Sequence, residues 1–132
     1  MADPTGTNSA YRSALECVLG VKGQALSPGA YTDITIPWDC SIFRWTMVGD
    51  QAGSSVVDIL VTPYDSFDDT THPNAGDSIT GGSPPTISSD VKAQDAALLG
   101  WLRSLNAGRV MRFILNSVVT QQQLTISLDV FR

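Results

Sequence analysis

Residues 37–63, PWDCSIFRWTMVGDQAGSSVVDILVTP, contain the pattern on which the fold prediction depends. Two apolar runs, Ser41–Val48 and Ser54–Thr62, flank a short turn-rich segment, Gly49–Gly53. β-Branched and aromatic residues on both sides of a glycine-containing gap are typical of two strands joined by a turn. The stretch therefore predicts a β-hairpin, around which the remaining strands would be arranged.

The register of this hairpin follows from its apolar faces. Because side chains alternate along a strand, a one-residue slip would bring the wrong faces together. One extra turn residue, a bulge with Gly53 at positive φ, aligns the apolar faces and lets Arg44 pair with Asp58. The aligned face would contain Phe43, Trp45, Met47, Val57, Ile59 and Val61. The opposite face is also too apolar for full exposure, so we expect another layer or another subunit to cover part of it. Its apolar members are Ile42, Val48, Val56 and Leu60.

The composition fits one globular domain. The chain has 132 residues, of which 42% are hydrophobic and 16% charged, so it can bury a core and is not expected to be disordered. Its formal net charge is −5 and its pI is about 4.4, with no cluster of Lys and Arg. Nucleic acid and membrane surfaces are therefore not expected as partners.

The N-terminal segment is small, polar and turn-prone. We interpret residues 1–12 as a flexible arm and residues 13–132 as a single domain. The segment lacks a signal-peptide pattern, and no apolar run in the chain approaches the roughly 20 residues of a membrane helix. The two cysteines, Cys17 and Cys40, lie on apolar strand-like segments, which predicts buried, reduced thiols. Together these features favour synthesis in the cytoplasm.

The remaining apolar residues mostly follow the two-residue period of β-strands. Strands are predicted near Leu15–Val21, Tyr31–Ile36, Val110–Leu115 and Leu124–Val130. Residues 63–89 predict a long loop, rich in Pro, Gly, Asp and Ser, in which residues 77–80 could form a short edge strand.

The segment Asp90–Leu102 has the one helix-like pattern in the chain. It predicts a short helix with Leu98, Leu99 and Trp101 buried. About six to eight strands with so little helix indicate an all-β fold, specifically an antiparallel β-sandwich that is jelly-roll-like.

No residue pattern indicates catalysis. A hydrolase triad needs a nucleophile, a base and an orienting acid, but the single histidine, His72, lies in a polar loop, where we expect it to be exposed to solvent. Asp65, Asp68 and Asp69 lie close to it, yet their spacing matches no calcium loop, which favours a solvated acidic loop over a cation site. The sequence therefore predicts a protein that is not an enzyme, with no catalytic residue, no metal and no cofactor.

Exposed loop residues are the candidates for contact with a partner. Tyr64 and Phe67 are aromatic residues on the polar loop, where they could contact another protein or stack against a sugar. The other candidates are one arm residue and three loop residues, namely Tyr11, Asp68, Asp69 and His72.

Several short motifs occur in a set order along the chain. The first are Pro37-Trp38-Asp39-Cys40, Trp45-Thr46, Asp50-Gln51-Ala52-Gly53-Ser54 and Val57-Asp58-Ile59. Later ones are Asp77-Ser78-Ile79-Thr80-Gly81, Pro85-Thr86-Ile87-Ser88-Ser89, Trp101, Gly108 and Phe113. From about Lys22 to the C-terminus, this order and spacing resembles the jelly-roll virion proteins of tailed bacteriophages. The chain departs from that pattern at Leu60, where an aromatic residue is usual, and in the longer, more acidic segment 65–72.

The resemblance implies a small virion structural protein that forms a homotrimer. On the capsid exterior, the trimer would act as a decoration or cement protein that clamps neighbouring subunits of the major capsid protein. Alternatively, as the head domain of a tail fibre, its outer loops would contact a host surface receptor or glycan. We favour capsid decoration because the chain is short, has a polar arm and lacks a repetitive shaft. A third alternative is a monomeric carbohydrate-binding module that uses Tyr64 and Phe67.

Overall fold

The computed structural model describes residues 12–132, and the candidate residue Tyr11 and the predicted arm before Arg12 lie outside the described residues. The described part contains seven strands and two short 3₁₀ helices, Tyr64–Ser66 and Ala75–Asp77. The strands are β1 (Arg12–Gly20), β2 (Tyr31–Thr35), β3 (Cys40–Thr62), β4 (Thr86–Asp95), β5 (Ser104–Leu105), β6 (Val110–Val119) and β7 (Gln123–Phe131). All strand pairs are antiparallel, so the all-β prediction is confirmed.

A single curled sheet is built around the long strand β3. The strand order is β1-β7-β3-β6-β2, with β4 and β5 also paired to β3. The first part of β3 pairs with β7, whereas its second part pairs with β6. The edge strands β1 and β2 approach each other, and the Thr32 hydroxyl donates a hydrogen bond of 3.1 Å to the Val18 carbonyl. The sheet therefore curls around one core.

The predicted hairpin is wrong, because residues 40–62 form one continuous strand. Gly53 is not at positive φ, and its role is close approach: a Cβ there would lie 2.2 Å from the Val119 carbonyl oxygen. The polar residues of this segment bond to the β6–β7 turn instead of forming a turn themselves. Asp50 Oδ1 accepts from the backbone N–H of Gln122 at 2.9 Å, and Gln51 Nε2 donates to the Thr120 carbonyl at 2.8 Å.

The alternation within β3 is only partly as predicted. Trp45 and Met47 in the first part, and Val57 and Ile59 in the second, are buried as expected, and Val61 is partly buried. A bulge between Ile42 and Arg44 reverses the alternation, because these two residues pair with consecutive residues of β7. Ile42 is therefore buried, whereas Phe43 leaves the predicted face and stacks on Phe131 with 4.4 Å between ring centroids.

The predicted helix at residues 90–102 is also wrong. Residues 86–95 form strand β4, in which Lys92 pairs with Val48 and Gln94 with Thr46. The chain leaves the strand at Asp95, whose carboxylate accepts a hydrogen bond from the Leu98 backbone N–H at 3.0 Å. Leu98 and Trp101 are buried as predicted, but Leu99 is 73% exposed. The buried residues Leu98 and Trp101 lie in the loop that follows β4, not on one face of a helix.

The other strands confirm the two-residue pattern. In β7 the residues Leu124, Ile126, Leu128 and Val130 are all fully buried. The inward residues of β1 and β6 behave in the same way, namely Leu15, Cys17, Leu19, Met111, Phe113 and Leu115. These side chains form one core with the inward residues of β3.

We expected another layer or another subunit to cover the second face of β3. The burial of this face differs along the strand. Leu60 is buried because residues of the 63–83 loop fold back on it, with a bridge between Leu60 and Ser78. Val48, on the first part of the strand, remains 46% exposed. None of the helices in residues 12–132 has the length and hydropathy required to cross a membrane.

Candidate binding surfaces

The acidic loop is organised by Asp68. Its carboxylate accepts hydrogen bonds from the backbone N–H groups of Thr70 (3.0 Å), Thr71 (2.6 Å) and His72 (3.2 Å), and from the Thr71 hydroxyl (2.7 Å). These hydrogen bonds hold the pKa of Asp68 well below its usual value, and the bond from the Thr71 side chain has the largest effect. Asp68 is therefore a structural residue of the loop, although its surroundings are exposed to solvent.

His72 is fixed by a carboxylate partner. Its Nδ1 lies 2.9 Å from Asp77 Oδ2, which also accepts the Asn74 backbone N–H at 2.8 Å. Desolvation acts to raise the pKa of Asp77, but the hydrogen bonds from His72 and Asn74 outweigh it and leave the pKa lowered. The His72 side chain is 40% exposed, so the predicted loop histidine is accessible and also holds the loop in shape.

Phe67 contributes to a cluster that sequence reasoning did not identify. The Arg112 guanidinium lies 3.9 Å from the Tyr31 ring centroid and 5.8 Å from that of Phe67. Its Nε and Nη2 atoms donate to the two carboxylate oxygens of Asp33, at 2.7 and 3.0 Å. The bond to Asp33 is the main reason that the pKa of Arg112 is raised. This cluster attaches the acidic loop to strands β2 and β6.

The structure therefore brings only some of the predicted contact residues together. Phe67, Asp68 and His72 share one loop, and the Asp68 backbone N–H donates to the His72 carbonyl at 3.0 Å. Tyr64 is 73% exposed and Asp69 is exposed, so these two side chains are available to a partner. Across residues 12–132 no group of three or more His, Cys, Asp or Glu side chains could hold a metal ion.

The predicted ion pair between Arg44 and Asp58 is wrong. With β3 continuous, Arg44 instead pairs with Asp129 on β7, at 2.6 Å. The Asp58 carboxylate accepts hydrogen bonds from the hydroxyls of Ser78 and Thr80, each at 2.8 Å, and from the Ile59 backbone N–H. Asp58 therefore holds the 63–83 loop on the sheet rather than neutralising an arginine.

One face of the sheet is not covered by the 63–83 loop. It consists of the outward residues of four neighbouring strands, and we call it the exposed sheet face. Its members are Ala14, Glu16, Val18, Thr125, Ser127, Asp129, Arg44, Thr46, Val48, Lys92 and Gln94. Val18 is 47% exposed and Val48 is 46% exposed, and they lie on either side of Thr125 of β7. Exposed apolar residues that share one sheet face make that face a candidate for contact with another molecule.

Both cysteines are buried and free, as predicted. Burial raises the pKa of the Cys17 thiol to about 12, and burial together with Asp39 raises that of Cys40. Neither thiol is activated as a nucleophile, because the thiolate is the reactive form.

The sequence matches no protein-family model and no curated protein. The function is therefore inferred from the chain's own residues and their arrangement.

Proposed function

We propose that this chain is a non-enzymatic structural protein of a bacteriophage virion, a capsid decoration protein that trimerises and binds major capsid subunits. The observation that carries the proposal is the exposed sheet face, which four strands build and which no other segment within residues 12–132 covers. The order of motifs described above supports the assignment to a virion. The curled sheet, in which β3 serves both halves, supports a jelly-roll-like fold.

The exposed sheet face is suited to contact with a second copy. Its central charges cancel, because Arg44 and Asp129 pair with each other at 2.6 Å. The other charges at this face lie on opposite edge strands, Glu16 on β1 and both Lys92 and Asp90 on β4. In a head-to-tail arrangement the Glu16 edge of one copy meets the Lys92 edge of the next, which is the kind of contact that closes a ring.

The loop residues would make the contact with the capsid. Tyr64 and Asp69 are exposed, while Asp68 and the Phe67–Arg112 contact hold the loop in one conformation. A pre-ordered loop loses less conformational entropy on binding than a flexible one. Binding only to assembled capsid would stabilise that assembly by mass action.

Cryo-electron microscopy of purified virions that carry this protein tests the proposal. We expect trimeric density at regular positions on the outer capsid surface, into which the curled sheet fits. Density at the tail would contradict capsid decoration and support the fibre alternative. Absence of the protein from the particle, or a monomer in solution that turns over a substrate, would contradict both.

The fibre-head alternative has one observation in its favour. Tyr64 is 73% exposed beside the acidic loop, and exposed tyrosines are common where proteins contact sugars or other proteins. In this alternative the Tyr64→Ala variant should lose adsorption to host cells while the protein remains trimeric. Under capsid decoration the same variant should lose binding to the capsid instead.

A further inference from the structure

A groove lies between the 3₁₀ helix at Ala75–Asp77 and the segment that leads into β6. Its volume is about 280 Å³, just below the range of about 300–1,000 Å³ typical of drug-sized ligands. One wall is formed by residues 76–79 and the other by residues 102–109. A space of this size fits one sugar ring or one amino-acid residue rather than an extended chain.

Both walls of the groove are held in place by hydrogen bonds. Asn74 caps the 3₁₀ helix of the first wall, accepting the Gly76 backbone N–H at 2.8 Å. In the second wall, the Gly108 backbone N–H donates to the Ile36 carbonyl at 2.8 Å, and Ala107 donates to Asp39 at 2.8 Å. The Leu102 backbone N–H joins the two walls by donating to the Ile79 carbonyl at 2.8 Å. The groove is therefore preformed, which lowers the entropy cost of binding.

Two charged groups on the groove have unused binding capacity. Arg109 is partly buried, and its guanidinium makes no hydrogen bond or ion pair with the residues that the structure describes. Asp77 uses Oδ2 for His72 and Asn74, whereas its Oδ1 accepts no hydrogen bond from any residue in the range 12–132. A guanidinium binds a carboxylate with two parallel hydrogen bonds, and a free carboxylate oxygen accepts from a hydroxyl.

The rest of the groove is apolar or neutral. Leu102 is 65% exposed at its mouth, Val61 and Leu105 line it, and Asn106 lies beside Arg109 on the turn. An apolar wall next to a few convergent polar groups is the usual composition of a small-ligand site. The C–H face of a sugar ring packs well on such a wall.

We propose that this groove binds a single acidic sugar residue, with its carboxylate at Arg109 and one of its hydroxyls at Asp77 Oδ1. A free amino acid would also offer a carboxylate, and its ammonium group could pair with Asp77 Oδ1, so leucine is the competing ligand that the test has to separate from the acidic sugar. The site is separate from the exposed sheet face and from Tyr64, and it does not depend on the position of the protein in a particle.

Titration of ¹⁵N-labelled protein followed by NMR tests this site. The probes are sodium glucuronate, glucose, sodium acetate and leucine, each added at the same concentrations. We expect saturable shifts at the backbone amides of Ser78, Asn106 and Arg109 with glucuronate. Glucose and acetate should bind at least about tenfold more weakly, because glucose lacks the carboxylate that Arg109 would bind and acetate lacks the hydroxyl that Asp77 would bind. Equal binding of glucose and glucuronate, or tighter binding of leucine, would overturn the proposal.

Two variants connect the binding to the groove. Arg109→Gln should weaken glucuronate binding by about tenfold or more, since it removes a charge-assisted hydrogen bond, while Lys92→Gln should have no effect. Leu102→Glu, at an exposed position that folding tolerates, should also weaken binding by placing a like charge at the mouth. Leu99→Glu is its matched control, because Leu99 is 73% exposed outside the groove. Unchanged affinity in both Arg109→Gln and Leu102→Glu, or shifts spread over other surface arginines, would contradict the assignment.

Discussion

Asp58 and Asp129 show how an aspartate's role depends on pairing between strands. Asp129 neutralises Arg44 across the β3–β7 pair, at a site where the Arg44 side chain is 43% exposed. Exposed ion pairs of this kind contribute about 0–1 kcal/mol. Asp58 accepts hydroxyl hydrogen bonds from Ser78 and from Thr80, which is buried, and these bonds hold a loop on the sheet. Asp58 should therefore contribute more to stability than Asp129.

Asp58→Ala should reduce the free energy of unfolding by about 1–3 kcal/mol, because it leaves the buried Thr80 hydroxyl without its acceptor. Chemical unfolding monitored by tryptophan fluorescence measures this change. Asp65→Ala is the matched control on the exposed part of the same loop, and its effect should stay within about 0.5 kcal/mol. Similar values for the two variants would show that Asp58 does not hold the loop.

The stability of the fold should fall in acid. The pKa values of Asp50, Asp68 and Asp77 are lowered in the folded protein, so the unfolded chain binds protons at a higher pH than the folded one. The stabilisation from these carboxylates is complete above the unfolded value of about 3.9 and is lost as the pH falls through the lower folded values. Urea unfolding at about pH 5 and about pH 2.5 measures the loss.

A variant separates these carboxylates from the other acids. Asp50→Asn combined with Asp68→Asn should be less stable than the natural chain at about pH 5, yet lose less stability on acidification. An equal loss in both proteins would mean that other carboxylates cause the acid dependence.

At the level of elements, strand β7 was predictable and strands β3 and β4 were not. Every second residue of β7 from Leu124 to Val130 is fully buried, so its local pattern and its tertiary role agree. Gly49 and Gly53 of β3 resemble turn glycines in the sequence. The structure gives another reason for glycine at these positions, because residues 119–121 pack closely against the strand there. No feature within residues 37–63 reports that distant contact. β4 lacks apolar alternation because most of its side chains are exposed.

The candidate binding surfaces were also predictable only in part. The polar loop with Tyr64 and Asp69 could be identified from composition alone, because Pro, Gly and Asp exclude regular strands. The stacking of Arg112 on Tyr31 and Phe67 could not, since it requires the β2–β6 register and the folded loop together. The groove at Arg109 likewise combines residues from three separate segments of the chain.

The continuity of β3 gives a direct prediction for its two glycines. Gly53→Ala should destabilise the protein by about 1–3 kcal/mol, because the new Cβ would meet the Val119 backbone carbonyl, which cannot move away easily. Gly49→Ala should cost less, since its nearest neighbour is the end of the Gln121 side chain rather than backbone, although this buried amide would have to give up its hydrogen bonds to the Gln51 and Asp90 carbonyls. Thermal unfolding of both variants measures the difference. A neutral Gly53→Ala variant would indicate that residues 119–121 do not pack against β3 as described.

For the whole molecule, the two halves of the curled sheet present different outer surfaces. The half built by β2, β6 and the second part of β3 is partly covered by the 63–83 loop, which is held there by Asp58. The half built by β1, β7, β4 and the first part of β3 presents the exposed sheet face. A protein that self-associates through its sheet would use the half that presents the exposed sheet face, because association there does not require the 63–83 loop to be displaced.

Val48→Glu should therefore abolish or strongly weaken self-association without unfolding the chain. Val48 lies within the exposed sheet face and is 46% exposed, so a carboxylate beside its cross-strand neighbour Lys92 is tolerated in the monomer, whereas contact between copies would have to desolvate that charge pair. Val119→Glu is the control, because Val119 is 62% exposed and lies outside that face, on β6. Sedimentation equilibrium should give a trimer for the natural chain and for Val119→Glu, and a monomer for Val48→Glu. A trimer in all three would place the interface elsewhere, and a monomer in all three would remove self-association from the proposed function.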